Sequence, residues 1–202
     1  MKTARRHSGT RTYEAVAHAP CDDSPAGRAQ RAAALVELVV RKYAPLPASS
    51  LVYLVRLLRY GAPHLQAEVQ SALQLARDHL ASQRIDGTTW YWPADENPAS
   101  RRWAVDEQLR LLAPFDPIVW DRRRFALLWG WTYKFEAYTP AAQRRYGYYA
   151  LPLLWRDEII GWANLSSQGG ALTPALGYAG KAPREAAFQA ALDDEMHRMV
   201  LF

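Results

Sequence analysis

The stretch PHLQAEVQSALQLARDHLASQRIDGTTWYW, residues 63–92, decides the fold. Leu65, Val69, Ala72, Leu73, Ala76 and Leu80 recur at helical spacing and predict a helix from Pro63, a suitable first helical residue, to about Ser82. Arg84-Ile85, the turn pair Asp86-Gly87 and Thr88 to Trp92 then make a hairpin, with β-branched and aromatic residues after the turn. Two further helices precede it. From Arg28, the residues Ala32, Leu35, Val36, Val39 and Val40 keep the helical period until Pro45 and Pro47 stop it. A second helix, capped by Ser49 or Ser50, runs through Leu51, Leu54, Val55 and Leu58 to Gly61, Ala62 and Pro63. Three helices followed by a hairpin is the order of a winged helix-turn-helix unit, here residues 28–93. Gln66, Gln70, Gln74 and Arg77 lie opposite the apolar stripe of the third helix and can reach base edges in a major groove. Gln is also a good helix former, so a solvated or protein-facing surface explains them equally well.

Outward from this unit the pattern changes. Residues 1–27 mix His, Ser, Thr, Pro and Asp with little period and read as a basic arm or linker, with a short strand near Thr10 to Ala17. Pro93 to Ser100 is a polar link. Beyond it Asp121 can cap a short helix to about Trp129, and Tyr133–Thr139, Tyr148–Trp155, Ile159–Asn164 and Ala171–Gly177 read as strands. Ala182 to Met199 closes the chain as an amphipathic helix. The expected class is therefore α+β: a winged helix, then a small antiparallel β-rich, barrel-like domain over residues 101–202 with a carboxy-terminal helix.

Composition bounds the function. Two hundred and two residues, half of them apolar, suit a folded chain burying roughly 70% of its unfolded surface. The single cysteine, Cys21, cannot form an internal disulfide or a thiolate zinc cage. The apolar run Ala32 to Val40 contains Glu37 and is far short of the ~20 residues of a membrane span, and no signal-peptide core follows the basic start. A cytoplasmic protein without membrane contact is expected. The net charge of +5 is uneven: residues 1–60 carry +6, 61–120 carry −3, 121–160 carry +3 and 161–202 carry −1. Two basic blocks suit a polyanion, because phosphates respond to local cation density, although solvated arms give the same count.

Enzymatic motifs are missing. There is no phosphate loop, dinucleotide fingerprint, His-Glu-x-x-His or Gly-x-Ser-x-Gly, and the five histidines are scattered without ligand spacing. No catalytic residue, metal ligand or cofactor is nominated, and Asp95-Glu96 and Asp193-Asp194-Glu195 read as solvated charge. Two clusters resist an ordinary explanation. Asp121-Arg122-Arg123-Arg124 puts three cations in a helical first turn, where the partial positive charge of the helix end disfavours them unless an anion compensates. A phosphate would serve, and so would Asp121, Asp116 and Glu136. Gln143-Arg144-Arg145-Tyr146-Gly147-Tyr148-Tyr149 interleaves cations with aromatics, a mixture suited to phosphate pairing and base contact, although alternating tyrosines can also line a strand.

The segments Leu111-Leu112-Ala113-Pro114-Phe115-Asp116-Pro117-Ile118-Val119-Trp120-Asp121-Arg122-Arg123-Arg124 and Tyr138-Thr139-Pro140-Ala141-Ala142-Gln143-Arg144-Arg145-Tyr146-Gly147-Tyr148-Tyr149-Ala150-Leu151-Pro152 closely resemble the back half of the YcaQ/AlkZ-like winged-helix DNA glycosylases. The resemblance is strong over 109–162 and looser elsewhere. It implies bacterial DNA repair, double-stranded and damaged DNA as partner, interstrand crosslinks among the lesions, and tandem winged helices with a β-rich barrel around a basic channel. It also implies that catalysis rests on a Gln-aliphatic-Gln or Gln-aliphatic-Asp motif. No such motif occurs in these 202 residues. Family members are considerably longer, so the chain is expected to correspond to their carboxy-terminal half. After Gly161 the family's acidic-Leu-Lys continuation is replaced by uncharged Trp162-Ala163-Asn164. The expectation is a DNA-binding protein in which Arg122, Arg123, Arg124, Arg144 and Arg145 hold phosphates while Tyr146, Tyr148 and Tyr149 pack at the bent or damaged site. Alternatives are an active or split glycosylase working with a separately encoded catalytic half, and a protein-interaction module docking through Trp90, Tyr91 and Trp92.

Overall fold

The structure is a computed structural model and describes residues 2–7, 10–14, 20–169 and 171–201. It is α+β. Helices α1 (Pro25–Tyr43), α2 (Ala48–Gly61) and α3 (Gln66–His79) precede the hairpin strands Ala81–Ile85 and Thr88–Trp92, and the two-residue strand Leu46–Pro47 adds to the hairpin's second strand. Numbered in chain order after the amino-terminal pair β1 (Lys2–His7) and β2 (Thr10–Glu14), these are β3 (Leu46–Pro47), β4 (Ala81–Ile85) and β5 (Thr88–Trp92). The short strand expected near Thr10 is β2; its partner β1 was not anticipated.

Pro25 opens α1 behind Ser24, whose hydroxyl accepts the Gly27 amide at 3.1 Å. The α2 cap differs from expectation. Pro47 occupies the N-cap position, and Ser50 is buried in the first turn instead of capping it. The third helix is preceded by a 3₁₀ turn over Pro63–Leu65. The three helices close a core of Val36, Val40, Leu46, Leu51, Val55, Leu65 and Leu73. Trp90 is buried and Tyr91 and Trp92 are half-buried in the small sheet, so the triplet does not form an exposed docking patch.

The second half is built on one antiparallel sheet in the order β6 (Leu109–Leu111), β7 (Leu151–Trp155), β8 (Glu158–Gln168), β9 (Ala171–Tyr178). The sheet is open, with β6 and β9 as its edges, and the expected barrel does not close. Both faces are already covered. Leu109, Leu153 and Trp155 pack on Phe188, Ala191 and Leu192 of helix α5 (Ala186–Val200), while Ile159 and Trp162 face an aromatic cluster around Phe125 on α4 (Arg122–Trp129). Glu195, expected as solvated charge, is buried: its carboxylate accepts the Leu111 amide at 2.7 Å and pairs with Arg198 at 2.6 Å, tying α5 to the edge strand β6.

Tyr133–Thr139 is not a strand, although its aromatic alternation predicts one. The buried Glu136 carboxylate accepts the amides of Arg145 at 2.8 Å and Tyr146 at 2.7 Å, so side-chain bonding replaces a ladder. Strand β7 starts only at Leu151, because Gly147, at φ +120°, turns the chain just before it. Trp120 joins the halves: its indole lies 5.8 Å from the Tyr43 ring of α1 and 6.1 Å from the Tyr53 ring of α2.

Candidate nucleic-acid interface

Helix α4 is set up by the turn before it. The Asp116 side chain accepts the Ile118 amide at 2.8 Å, and its carbonyl accepts those of Val119 and Trp120. Asp121 follows as the N-cap expected from sequence, its carboxylate accepting the Arg124 amide at 3.2 Å, and Gly130 ends the helix at φ +70°. The three arginines are not equivalent. Arg122 and Arg123 are exposed, whereas Arg124 is 6% exposed and turned inward, with one guanidinium nitrogen 3.4 Å from the Pro117 carbonyl. Burial holds the Arg124 pKa below its usual value, opposed by the nearby Asp121 and Asp116. Arg124 is thus buried near two carboxylates but forms no ion pair with them, and its Nε and one Asp121 carboxylate oxygen are buried without hydrogen-bond partners.

The second cluster is a loop braced from below. Tyr146 is 6% exposed; its hydroxyl donates to the Thr132 carbonyl, and its ring packs 4.8 Å from Trp162 and 5.9 Å from Tyr133. It is a core residue. Asn164 donates to the Tyr146 carbonyl at 2.7 Å, so the uncharged continuation after Gly161 secures this loop. A Cβ at Gly147 would collide with the Asn164 side chain, which together with the positive φ requires glycine. Above this base, Arg144 donates to the Thr139 carbonyl at 2.8 Å and lies 5.0 Å from the Tyr148 ring centre. Arg145 is exposed over Tyr146, and Tyr148 and Tyr149 are exposed.

The two clusters meet around Tyr133. This phenol is buried and donates to the Ala150 carbonyl at 2.7 Å. Burial pushes its pKa well up, Arg122 pulls it down, and Tyr149 and Glu136 push it further up. The Tyr133 ring lies 6.1 Å from Phe125 of α4 and 5.9 Å from Tyr146 of the Arg144–Tyr149 loop, so the two segments pack on one residue. Their cations are also free. Arg28, Arg31, Arg41, Arg156 and Arg198 form ion pairs, whereas among the described residues none joins a carboxylate to Arg122, Arg123, Arg144 or Arg145.

Sequence reasoning missed a flank of this surface. Tyr53, Arg56 and Tyr60 follow one another at helical spacing on α2, all exposed, and Tyr53 touches Trp120, the residue next to Asp121. Arg56 and Arg59 also line a shallow cleft with Gln66 and Gln70, so two cations flank the amide face of α3. The spacing Tyr53-Arg56-Tyr60 was the available signal, obscured because α2 is otherwise read for its apolar stripe.

A larger concavity than this cleft lies elsewhere. A cavity of about 690 Å³ opens between α1, α3 and Pro93–Asp95, with Ala33, Ala72, Ala76 and Leu75 on its wall. At its rim Arg41 is committed to Glu37 at 2.9 Å and Asp95 at 3.1 Å, so it presents no free charge to a polyanion. A duplex is held by displayed cations and not by enclosure, which favours the surface around Tyr133 over this cavity. Among the described residues no cluster of His, Cys, Asp and Glu could hold a metal ion, and no helix is long and apolar enough to cross a membrane. A family model described as DNA glycosylase AlkZ-like matches residues 2–202. No solved structure matches the chain.

Proposed function

The chain belongs to the AlkZ-like DNA glycosylase family, and on that premise we propose that it binds double-stranded DNA through Arg122, Arg123, Arg144 and Arg145, without a complete active site of its own. DNA repair is the setting the family supplies; damaged duplex is the proposed ligand. The observation that carries the proposal is that four cations without carboxylate partners stand on two chain segments, the α4 entrance and the Arg144–Tyr149 loop, whose Phe125 and Tyr146 both pack on Tyr133. Each guanidinium can take a phosphate bidentately and release condensed counterions, while Tyr148 and Tyr149 stand beside the strand. Residues 28–93 act in this scheme as a winged helix, with Gln66 and Gln70 of α3, flanked by Arg56 and Arg59, directed at a groove. Arg124 and Tyr146 support the surface from within.

Titrating a labelled duplex from roughly 50 to 200 mM salt tests the proposal. Log affinity should fall linearly with log salt, and Arg122→Gln, Arg123→Gln or Arg145→Gln should each reduce the magnitude of the slope by about 1. A flat salt response would remove it.

A second reading, glycosidic-bond cleavage, is favoured by the family match itself. Against it stands the missing Gln-aliphatic-Gln or Gln-aliphatic-Asp segment, so excision would require catalytic groups beyond that motif in these 202 residues. Incubating the chain with alkylated duplex and then alkali decides the point: strand breaks made by this chain alone would show that its catalytic groups lie outside the family motif.

A further inference from the structure

We propose that Phe115, Phe135, Tyr138 and Tyr149 form a stacking platform for unpaired nucleobases, so that the protein prefers locally opened DNA to intact duplex. None of the first three belongs to the arginine and tyrosine clusters already described. The half-buried Phe135 ring is the hub, 5.3 Å from Phe115, 5.2 Å from Tyr149 and 6.3 Å from Tyr138 between centres, edge-on to each. The outer rings face solvent: Phe115 is 70% exposed, Tyr138 94% and Tyr149 48%. Four touching aromatics from three separate chain segments make a contiguous patch, and such patches mark binding surfaces.

The backbone beside the rings is braced. Phe115 sits between buried Pro114 and Asp116, whose side chain and carbonyl organise the turn into α4. Phe135 and Tyr138 flank Glu136, which is anchored to the Arg145 and Tyr146 amides.

Charge selects the occupant. Exposed Arg145 and Lys134 lie in the segments that carry the rings, Arg144 rests on Tyr148 beside Tyr149, and Arg122 acts on the same Tyr133 hydroxyl as Tyr149. The carboxylates of Asp116, Asp121 and Glu136 all accept backbone amides. An apolar face carried on segments that also bear exposed cations fits a polyanion that offers flat apolar surfaces, which is a nucleic acid with unstacked bases. A closed duplex hides those surfaces. The inference rests on the DNA-binding function proposed above but makes a separate demand, discrimination by base exposure.

The test compares a labelled duplex with the same duplex carrying a central bubble of unpaired thymines, using wild-type protein, Phe115→Ala, Tyr138→Ala and the ring-conserving Phe115→Trp. Wild type should bind the bubble about tenfold more tightly, a ratio that each alanine variant reduces and Phe115→Trp retains, with duplex affinity unchanged. Both alanine sites are highly exposed, and matching thermal unfolding would confirm intact folds. Equal, salt-dependent binding of both probes overturns the platform and leaves the arginine surface standing. A bubble preference that survives both alanine changes places base contact elsewhere, and binding of neither probe removes both proposals.

Discussion

At residue scale, Glu136 and Gly147 fix the candidate interface without facing DNA. Glu136→Ala would leave the buried Tyr146 amide and the part-buried Arg145 amide without their acceptor; a buried unsatisfied group costs about 1–3 kcal/mol, so a loss of that order is expected in urea unfolding. Because those amides belong to Arg145 and Tyr146, DNA affinity should fall with it. Gly147→Ala combines the Asn164 collision with a positive φ and should cost about 1–3 kcal/mol. Adding Asn164→Ala relieves the collision but not the backbone strain, so the double variant should recover only part of the loss. Arg124 separates burial from charge: Arg124→Met should leave the salt slope of DNA binding unchanged, unlike Arg122→Gln, since a buried guanidinium contacts no phosphate.

At the scale of elements, the pairing of α1 with α3 carries a pH dependence. Arg28 donates to Glu68 at 2.7 Å, and this bond, more than its charge alone, holds the Glu68 pKa below the usual carboxylate value. A carboxyl whose pKa is lower folded than unfolded contributes stability above its unfolded value, and loses that contribution as pH falls through the folded one. Glu68→Gln should therefore lower the urea midpoint at pH 7, and the difference from wild type should vanish well below pH 4.5, the ordinary value for this carboxyl. Both side chains are partly buried, at 26% and 22% exposure, which places the pair between a surface and a buried ion pair, and a modest shift in midpoint is expected. Helix α4 depends similarly on Asp121: Asp121→Ala removes its cap, typically about 1 kcal/mol, and leaves Arg124 with less compensating charge.

At the scale of the whole molecule, Trp120 is the joint between the helical core and the sheet. Its ring touches Tyr43 and Tyr53 while its neighbour Asp121 starts α4, so its side chain couples the two halves. Trp120→Ala should cost about 2–3 kcal/mol, less than a fully buried tryptophan. Calorimetric enthalpy should then exceed the van't Hoff value as the halves unfold separately.

The helices, the hairpin at Asp86-Gly87, strands β7 to β9 and the Asp121 cap were legible because each rests on local periods or local bonding: apolar spacing, turn residues, a capping carboxylate. The same locality explains the failures. An alternating run from Tyr133 looks like a strand until a carboxylate inside it takes amides ten residues away, and a sheet expected to curl into a barrel stays open once a terminal helix covers one face and an aromatic cluster the other. What the sequence determined by itself was the helices, the hairpin and strands β7 to β9, and that cations and aromatics cluster in two segments. Only tertiary structure decided which of those side chains reach solvent. Arg122 and Arg124, or Tyr146 and Tyr149, are chemically alike, and their opposite fates follow from which one the packed interior around Phe125 and Trp162 has room to enclose.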